Sequence, residues 1–297
     1  MRLLAFRCIA LCLVAFGAKS IHAADPVDCR SYIGKWTQPA PPRKIYGNTF
    51  YVGTCGLSAI LVTSDKGHVL IDGGVEEDAP LIETGIRALG FRVEDVRYIL
   101  NSHEHFDHVG GIAKLQRDTH ATVAAREPAA AALERGHGDR GDPQFLSAKS
   151  FPAVEDVRRI GDGETITIGA TVLTAHATPG HTPGSTTWTW TSCDQGRCLH
   201  IVYADSLTPV SDDAYRFSDD AAHPGVLDGF RRSIATVAAL ACDILVTPHP
   251  EASDLWDRLG PKPTASLIDP EGCRTYAATA THNLDERIAR EKAAPAK

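Results

Sequence analysis

The chain has 297 residues, 43% of them hydrophobic and 23% charged, with eight cysteines and a formal net charge of −7. That length and apolar content suffice for one large α/β domain, and no Pro-, Ser- or charge-rich linker divides it. The acidic balance argues against a nucleic-acid partner, because phosphate binding draws on clustered Lys and Arg.

Arg2 and Arg7 flank an apolar stretch from Leu3 to Ala18, and small residues at Ala23 and Ala24 precede the first acid, Asp25. This is the pattern of a secretory signal peptide, residues 1–24, cleaved near Ala23 or Ala24. Leu11 before Cys12 argues against a lipoprotein anchor. The expectation is a periplasmic or secreted monomer, residues 25–297, with no stable membrane association. Loss of Arg2, Arg7 and Lys19 moves its charge to about −10.

Cys8 and Cys12 leave with the signal, and six cysteines remain. An even number in an exported chain points to three disulfides. Fifteen pairings are open; neighbours in sequence are expected to join, Cys29 with Cys55, Cys193 with Cys198 across the turn 194–197, and Cys242 with Cys273. The last closes a loop of about 30 residues, a stabilisation of roughly 3 to 4 kcal/mol in the chain-entropy picture.

After a Pro-rich entry at Pro39, Pro41 and Pro42, turn signals alternate with β-rich runs at 49–52, 58–62 and 69–71, the strands of a meander. Helical spacing of apolar residues covers Leu81–Leu89 and stops at Gly90, a buried strand runs from Val96 to Ser102, and a helix is predicted to start near Gly111. A strand at 122–125 and an Ala-rich helix at 128–133 lead into a Gly-rich loop, Gly136 to Phe145, that serves either as a surface connection or as a wall of a site. Further strands are predicted at 165–168, 171–176, 186–190 and 200–203, then a helix at 227–240, a buried strand at 243–246 and a charged closing helix at 283–292. Strands in runs with helices between them fit two sheets covered by helices outside.

The chemistry is concentrated in His103-Glu104-His105-Phe106-Asp107-His108, directly after the strand ending at Ser102. His103 and His105, two apart on an extended backbone, point to one side, while Asp107 and His108 need a turn to aim at a second point nearby. One loop can thereby serve two ions. His181, within Thr178-Pro179-Gly180-His181-Thr182-Pro183-Gly184, and His249, within Val246-Thr247-Pro248-His249-Pro250, sit at strand ends stiffened by Pro and Gly, and supply the imidazoles that each half of the cluster lacks.

This His-x-His-x-Asp-His motif, the Pro-Gly-His-Thr turn, the segment Ala204-Asp205-Ser206 and the last His after a strand resemble the metallo-β-lactamase superfamily over roughly Tyr46 to His249, and most of all the third subclass of class B metallo-β-lactamases. The resemblance implies an αββα sandwich, two mixed sheets flanked by helices, with two Zn²⁺ at one edge. His103, His105 and His181 would hold the first ion, and Asp107, His108 and His249 the second. It implies hydrolysis of the β-lactam amide bond of penicillins, cephalosporins and carbapenems by a zinc-bound hydroxide, conferring antibiotic resistance, with catalytic Asp107 orienting the hydroxide or moving its proton. Ser206 and Thr208 match positions that hold the substrate carboxylate, Gln144 lies by position in the active-site rim, and Asp72 matches an aspartate that orients the metal site from behind its ligands.

The alternative is another hydrolase of the superfamily, a lactonase or a glyoxalase II-type thioester hydrolase, whose bridging aspartate lies near the position of Asp205. The adjacent Ser206, the export signal and the expected disulfides weigh against it. A zinc-buffering protein without turnover is the non-enzyme alternative; six ligands over two ions leave positions open, as catalytic sites do. The remaining histidines, His68, His120, His137, His176, His200, His223 and His282, match no ligand position. Of these His223 stands out, because the loop beyond Ser206 could fold over the ions.

Overall fold

The computed structural model describes residues 27–32 and 34–293, so the expected signal peptide and its cleavage site lie outside the described residues. Among the described residues twelve strands form two mixed sheets. The first takes its strands in chain order: β1 (Arg43–Tyr46), β2 (Thr49–Tyr51), β3 (Ile60–Ser64), β4 (Gly67–Ile71), β5 (Val96–Leu100), β6 (Thr122–Arg126) and β7 (Arg158–Ile160). It is antiparallel as far as β4 and parallel from there on. The second runs β12 (Ile244–Val246), β11 (Arg197–Tyr203), β10 (Thr186–Asp194), β9 (Thr171–Ala177), β8 (Thr165–Ile168), with β11 and β12 parallel.

The period-two alternation of the strands decides the layering. Ile60, Val62 and Ile71 face Leu173, Trp188, Ile201 and Val246 across the sandwich, while Leu61, Leu70, Ile99 and Val123 turn outward. That outer face is covered by α1 (Ala79–Ala88), α3 (Ile112–Thr119) and α4 (Glu127–Arg135), through Ile82, Ile86, Leu115 and Leu133. On the opposite face α5 (Val226–Ala239) and, after the short α6 (Leu255–Leu259), α7 (Gly272–Ala293) cover Val202 and Leu245 with Phe230, Ile234, Leu284 and Ile288. The four layers are the αββα sandwich expected from the sequence.

Three differences have physical causes. The sequence pattern does not predict β1 or β7. Each is short, and β7 (Arg-Arg-Ile) is an edge strand whose first two residues are exposed, so it carries no alternation to detect. The closing helix begins eleven residues before the predicted start at 283: its first half is rich in Thr, a weak helix former, and is held by burial of Cys273, Tyr276, Ala277 and Ala280. All three disulfides have the expected pairings, Cys29–Cys55, Cys193–Cys198 and Cys242–Cys273. Among the described residues no helix is long and apolar enough to cross a membrane.

Candidate metal centre

The C-terminal ends of β4, β5, β11 and β12 meet at one edge of the sandwich, since Ile71 pairs with Leu100 and Tyr203 with Val246 in parallel registers. Each of these strands runs on into a piece of the centre: Asp72 after β4, His103 to His108 after β5, Asp205 to Thr208 after β11 and His249 after β12. The loop between β9 and β10 adds His181. The motif divides as its spacing requires. His103 and His105 sit on extended backbone, and the short helix α2 (Phe106–Val109) turns Asp107 and His108 toward a second point.

The rings of His103, His105 and His181 stand mutually edge to face with centroids 4.7 to 4.9 Å apart. In each ring one nitrogen is engaged from behind. His103 Nδ1 lies 2.8 Å from Asp205 Oδ1, His105 Nε2 3.1 Å from Asp142 Oδ2, and His181 Nδ1 3.0 Å from the Thr208 carbonyl. These partners are acceptors, so the engaged nitrogen carries the proton and the other turns a lone pair inward. His103 Nε2 is buried with no hydrogen-bond partner. Burial, with the neighbouring imidazoles adding to it, holds the His103 pKa well below its ordinary range, and burial together with His105 lowers His181 to about 3. Neutral imidazole is the form that ligates.

The second point is tighter. His108 Nε2 lies 3.2 Å from His249 Nε2, and Asp107 Oδ2 lies 3.3 Å from the first and 3.4 Å from the second. Ligands held at 2.0 to 2.1 Å around a four-coordinate zinc ion are spaced about 3.3 Å apart, so the donor set fits such an ion. Burial opposes charge on His108, yet the Asp107 carboxylate and then Asp72 outweigh it and push its pKa up to about 10; burial likewise opposes the charge on Asp107, and His108 outweighs it, holding the carboxyl well below its usual value. The site attracts positive charge. His103 links the two points, since its donor atom lies within 4.8 Å of those of Asp107 and His108 as well as of His105 and His181.

Asp72 stands behind this cluster with its backbone in the left-handed region at φ 66°. Fully buried, it accepts the Ser102 amide at 2.6 Å, the Ser102 hydroxyl at 2.7 Å and the Tyr203 phenol at 2.6 Å, and lies 3.6 Å from His108 Nδ1. Asp205 is also buried, which raises its carboxyl to about 7; its Oδ1 sits on the back of the His103 ring, away from Nε2. Tyr276 from α7 fixes this segment, donating to the Asp205 carbonyl at 3.0 Å and accepting the Leu207 amide at 3.1 Å.

The centre opens into a cavity of about 400 Å³ whose wall includes Trp36, Asp107, Gln144, Ser206, Thr208 and His249. Every residue proposed from the sequence to touch substrate thus lines one cavity. His223 does not join the donors but stacks on Tyr215 at 3.8 Å. Asp142, by contrast, escapes a reading of the sequence: it lies in the Gly-rich loop beside Gln144, 2% exposed, and the only trace it leaves in sequence is an Asp-Pro pair, an ordinary turn signal.

The fold has close counterparts. The Rm3 metallo-β-lactamase superposes with a TM-score of 0.84 at 50% identity, over 86% of this chain and 97% of that one. The chain belongs to the metallo-β-lactamase superfamily. The superfamily's sequence model matches residues 52–191. Within the superfamily this metallo-β-lactamase-fold chain groups with the subclass B3 enzymes: MEM-A1, a subclass B3 metallo-β-lactamase from a soil metagenome library, is 46% identical with a TM-score of 0.83, over 87% of this chain and 99% of its own. Among curated relatives, the N-acyl homoserine lactonase AttM of Azorhizobium caulinodans is 31% identical over 159 residues, 42% of this chain. The chain spans about half the length, 55%, of that lactonase.

Proposed function

We propose that this chain hydrolyses the β-lactam amide bond of penicillins, cephalosporins and carbapenems as a two-zinc enzyme acting outside the cytoplasm, and so confers resistance to them. The observation that carries the reading is the pair of donor sets side by side, His103, His105 and His181 next to Asp107, His108 and His249, opening on a cavity large enough for a small bicyclic substrate. Zinc bound there supplies Lewis acidity and makes a water ionisable near neutral pH, so no protein nucleophile is needed.

The chain's own groups do the rest. Asp107 lines the cavity as a carboxylate, placed to orient the attacking water and to accept its proton. The proton on His181 Nδ1 is shared between the carbonyl and the hydroxyl oxygen of Thr208, 3.0 and 3.1 Å away. The Thr208 hydroxyl hydrogen is then free to point into the cavity, where with Ser206 it can hold the carboxylate that β-lactams carry beside the ring nitrogen. Gln144, which also lines the cavity, is assigned to the substrate amide.

The likeness to a lactonase supports one rival, cleavage of an acyl-homoserine lactone. The position of Asp205 counts against it. Asp205 commits Oδ1 to the far side of the His103 ring from Nε2, the place of a group that orients a ligand. The test is to assay the exported protein on a carbapenem and a cephalosporin beside an acyl-homoserine lactone and a glutathione thioester, with chelator and with zinc restored. Lactam turnover abolished by chelator and recovered with zinc is expected; rapid lactone or thioester turnover without lactam cleavage refutes the proposal.

A further inference from the structure

Glu104 stands between two of the metal-facing histidines, yet it is 3% exposed and turned away from the cavity. A buried carboxylate is costly unless each oxygen is matched. Here each is. Oε2 accepts the Thr182 hydroxyl at 2.7 Å and Oε1 the Gly184 amide at 2.9 Å. Both partners belong to the turn that carries His181. The fit is close on its other side too: a Cβ on Gly184 would stand 2.5 Å from Glu104 Oε2 and 2.6 Å from the Ala129 backbone nitrogen and Cβ, so only glycine lets the turn seat. Partly buried Arg126 from β6 donates to the Ser185 carbonyl at 2.8 Å, holding the next residue of the same turn.

We infer that Glu104 is a positioning residue that docks the Thr182–Ser185 turn onto the His103–His105 segment and thereby sets His181 in place for the first ion. The rings of His103 and His105 are carried by the β5 end, but His181 arrives on a loop between β9 and β10. That loop meets the motif through the two Glu104 bonds just past His181, with the Thr186 amide on the Ser102 carbonyl at 2.7 Å closing its far end, while His181 itself rests on Thr208. Asp107, His108 and His249 make no hydrogen bond to this turn. Loss of the carboxylate is therefore expected to weaken one ion site and spare its neighbour, a selectivity that general loosening of the fold does not produce.

The inference rests on the two-ion reading above, and the test separates them. The unaltered protein, Glu104→Ala, Glu104→Gln and Thr182→Val are titrated with zinc against a chromophoric chelator, and with cobalt to follow the ligand-field spectrum of each site. The unaltered protein takes up two equivalents. Glu104→Ala keeps one tight equivalent and loses about 10- to 100-fold in affinity for the other, with loss of the cobalt bands that substitution of His181 also removes. Glu104→Gln can still accept the Gly184 amide and offer its own amide to Thr182 Oγ, and retains most of the affinity. Thr182→Val removes the bond to Glu104 Oε2 and the contact with Ser185 Oγ but keeps the Gly184 bond to Oε1, so it gives a smaller loss at the same site even if Glu104→Ala fails to fold. Equal two-ion affinity in Thr182→Val and in every folded Glu104 variant overturns the assignment of Glu104 alone; absence of uptake by the unaltered protein overturns the metal centre itself.

Discussion

Removal of the Asp72 side chain tests the support behind the ligands without replacing a ligand. Its carboxylate accepts three hydrogen bonds of 2.6 to 2.7 Å in a fully buried setting. In Asp72→Ala the Tyr203 phenol can turn to the Ser58 carbonyl, 3.4 Å away, whereas the Ser102 hydroxyl, whose neighbour His103 Nδ1 at 3.3 Å already carries a proton, can only accept there. The Ser102 amide has no substitute. An orphaned buried donor costs about 1 to 3 kcal/mol, and each of the two weakened bonds roughly 1 kcal/mol. Alanine at φ 66° adds about 1 kcal/mol more, because it lacks the local tolerance that Asp and Asn have for the left-handed region. The sum is about 4 to 6 kcal/mol, a large part of a domain's stability. Asp72→Asn keeps both the backbone preference and an acceptor for Ser102, exchanging charged for neutral bonds at about 2 kcal/mol. Urea unfolding of the metal-free protein in chelator measures both without a contribution from metal binding. An alanine variant within about 1 kcal/mol of the unaltered protein, or one no worse than the asparagine variant, refutes this account of Asp72.

Asp142→Asn leaves the packing of its loop but weakens the bond that sets the His105 tautomer; kcat/KM and zinc affinity are expected to fall about 10- to 100-fold, and a variant with unaltered zinc affinity excludes Asp142 from the centre. pH acts on the metal-free protein through His181, whose pKa of about 3 lies below its ordinary 6.5. The unfolded chain binds the proton that the native state refuses, so this contribution is complete above pH 6.5 and is lost as pH falls from there toward 3. Urea midpoints in chelator should drop between pH 6.5 and 4.5, and drop less in His181→Ala; parallel profiles for the two proteins contradict the assignment.

The features legible in the sequence are those built from short-range pattern. His103 to His108 advertise themselves by density, and His181 and His249 by the Pro and Gly that stiffen their turns. The β-branched runs locate strands such as β8 and β9, and joining cysteines nearest in sequence, one of fifteen open choices, reproduces the three pairings. The rest is settled by contacts distant in the chain. Asp142 acquires its role only because its loop folds back on His105, and Glu104 only because the β9–β10 turn lands on it; neither meeting has a local signature. β7 is a strand because β6 offers it an edge, not because Arg158 and Arg159 favour extension.

Cys242, just before β12, is joined to Cys273 in the first turn of α7, and one turn further along Tyr276 grips the backbone of Asp205 and Leu207. The covalent link therefore reaches, in two steps, the carboxylate behind His103. Maturation of the centre is in this way coupled to the redox state of the compartment where the chain folds. In a thiol-rich environment the long closing helix would be moored by noncovalent contacts alone, and the ligand scaffold would lose one of its anchors before any ion arrived.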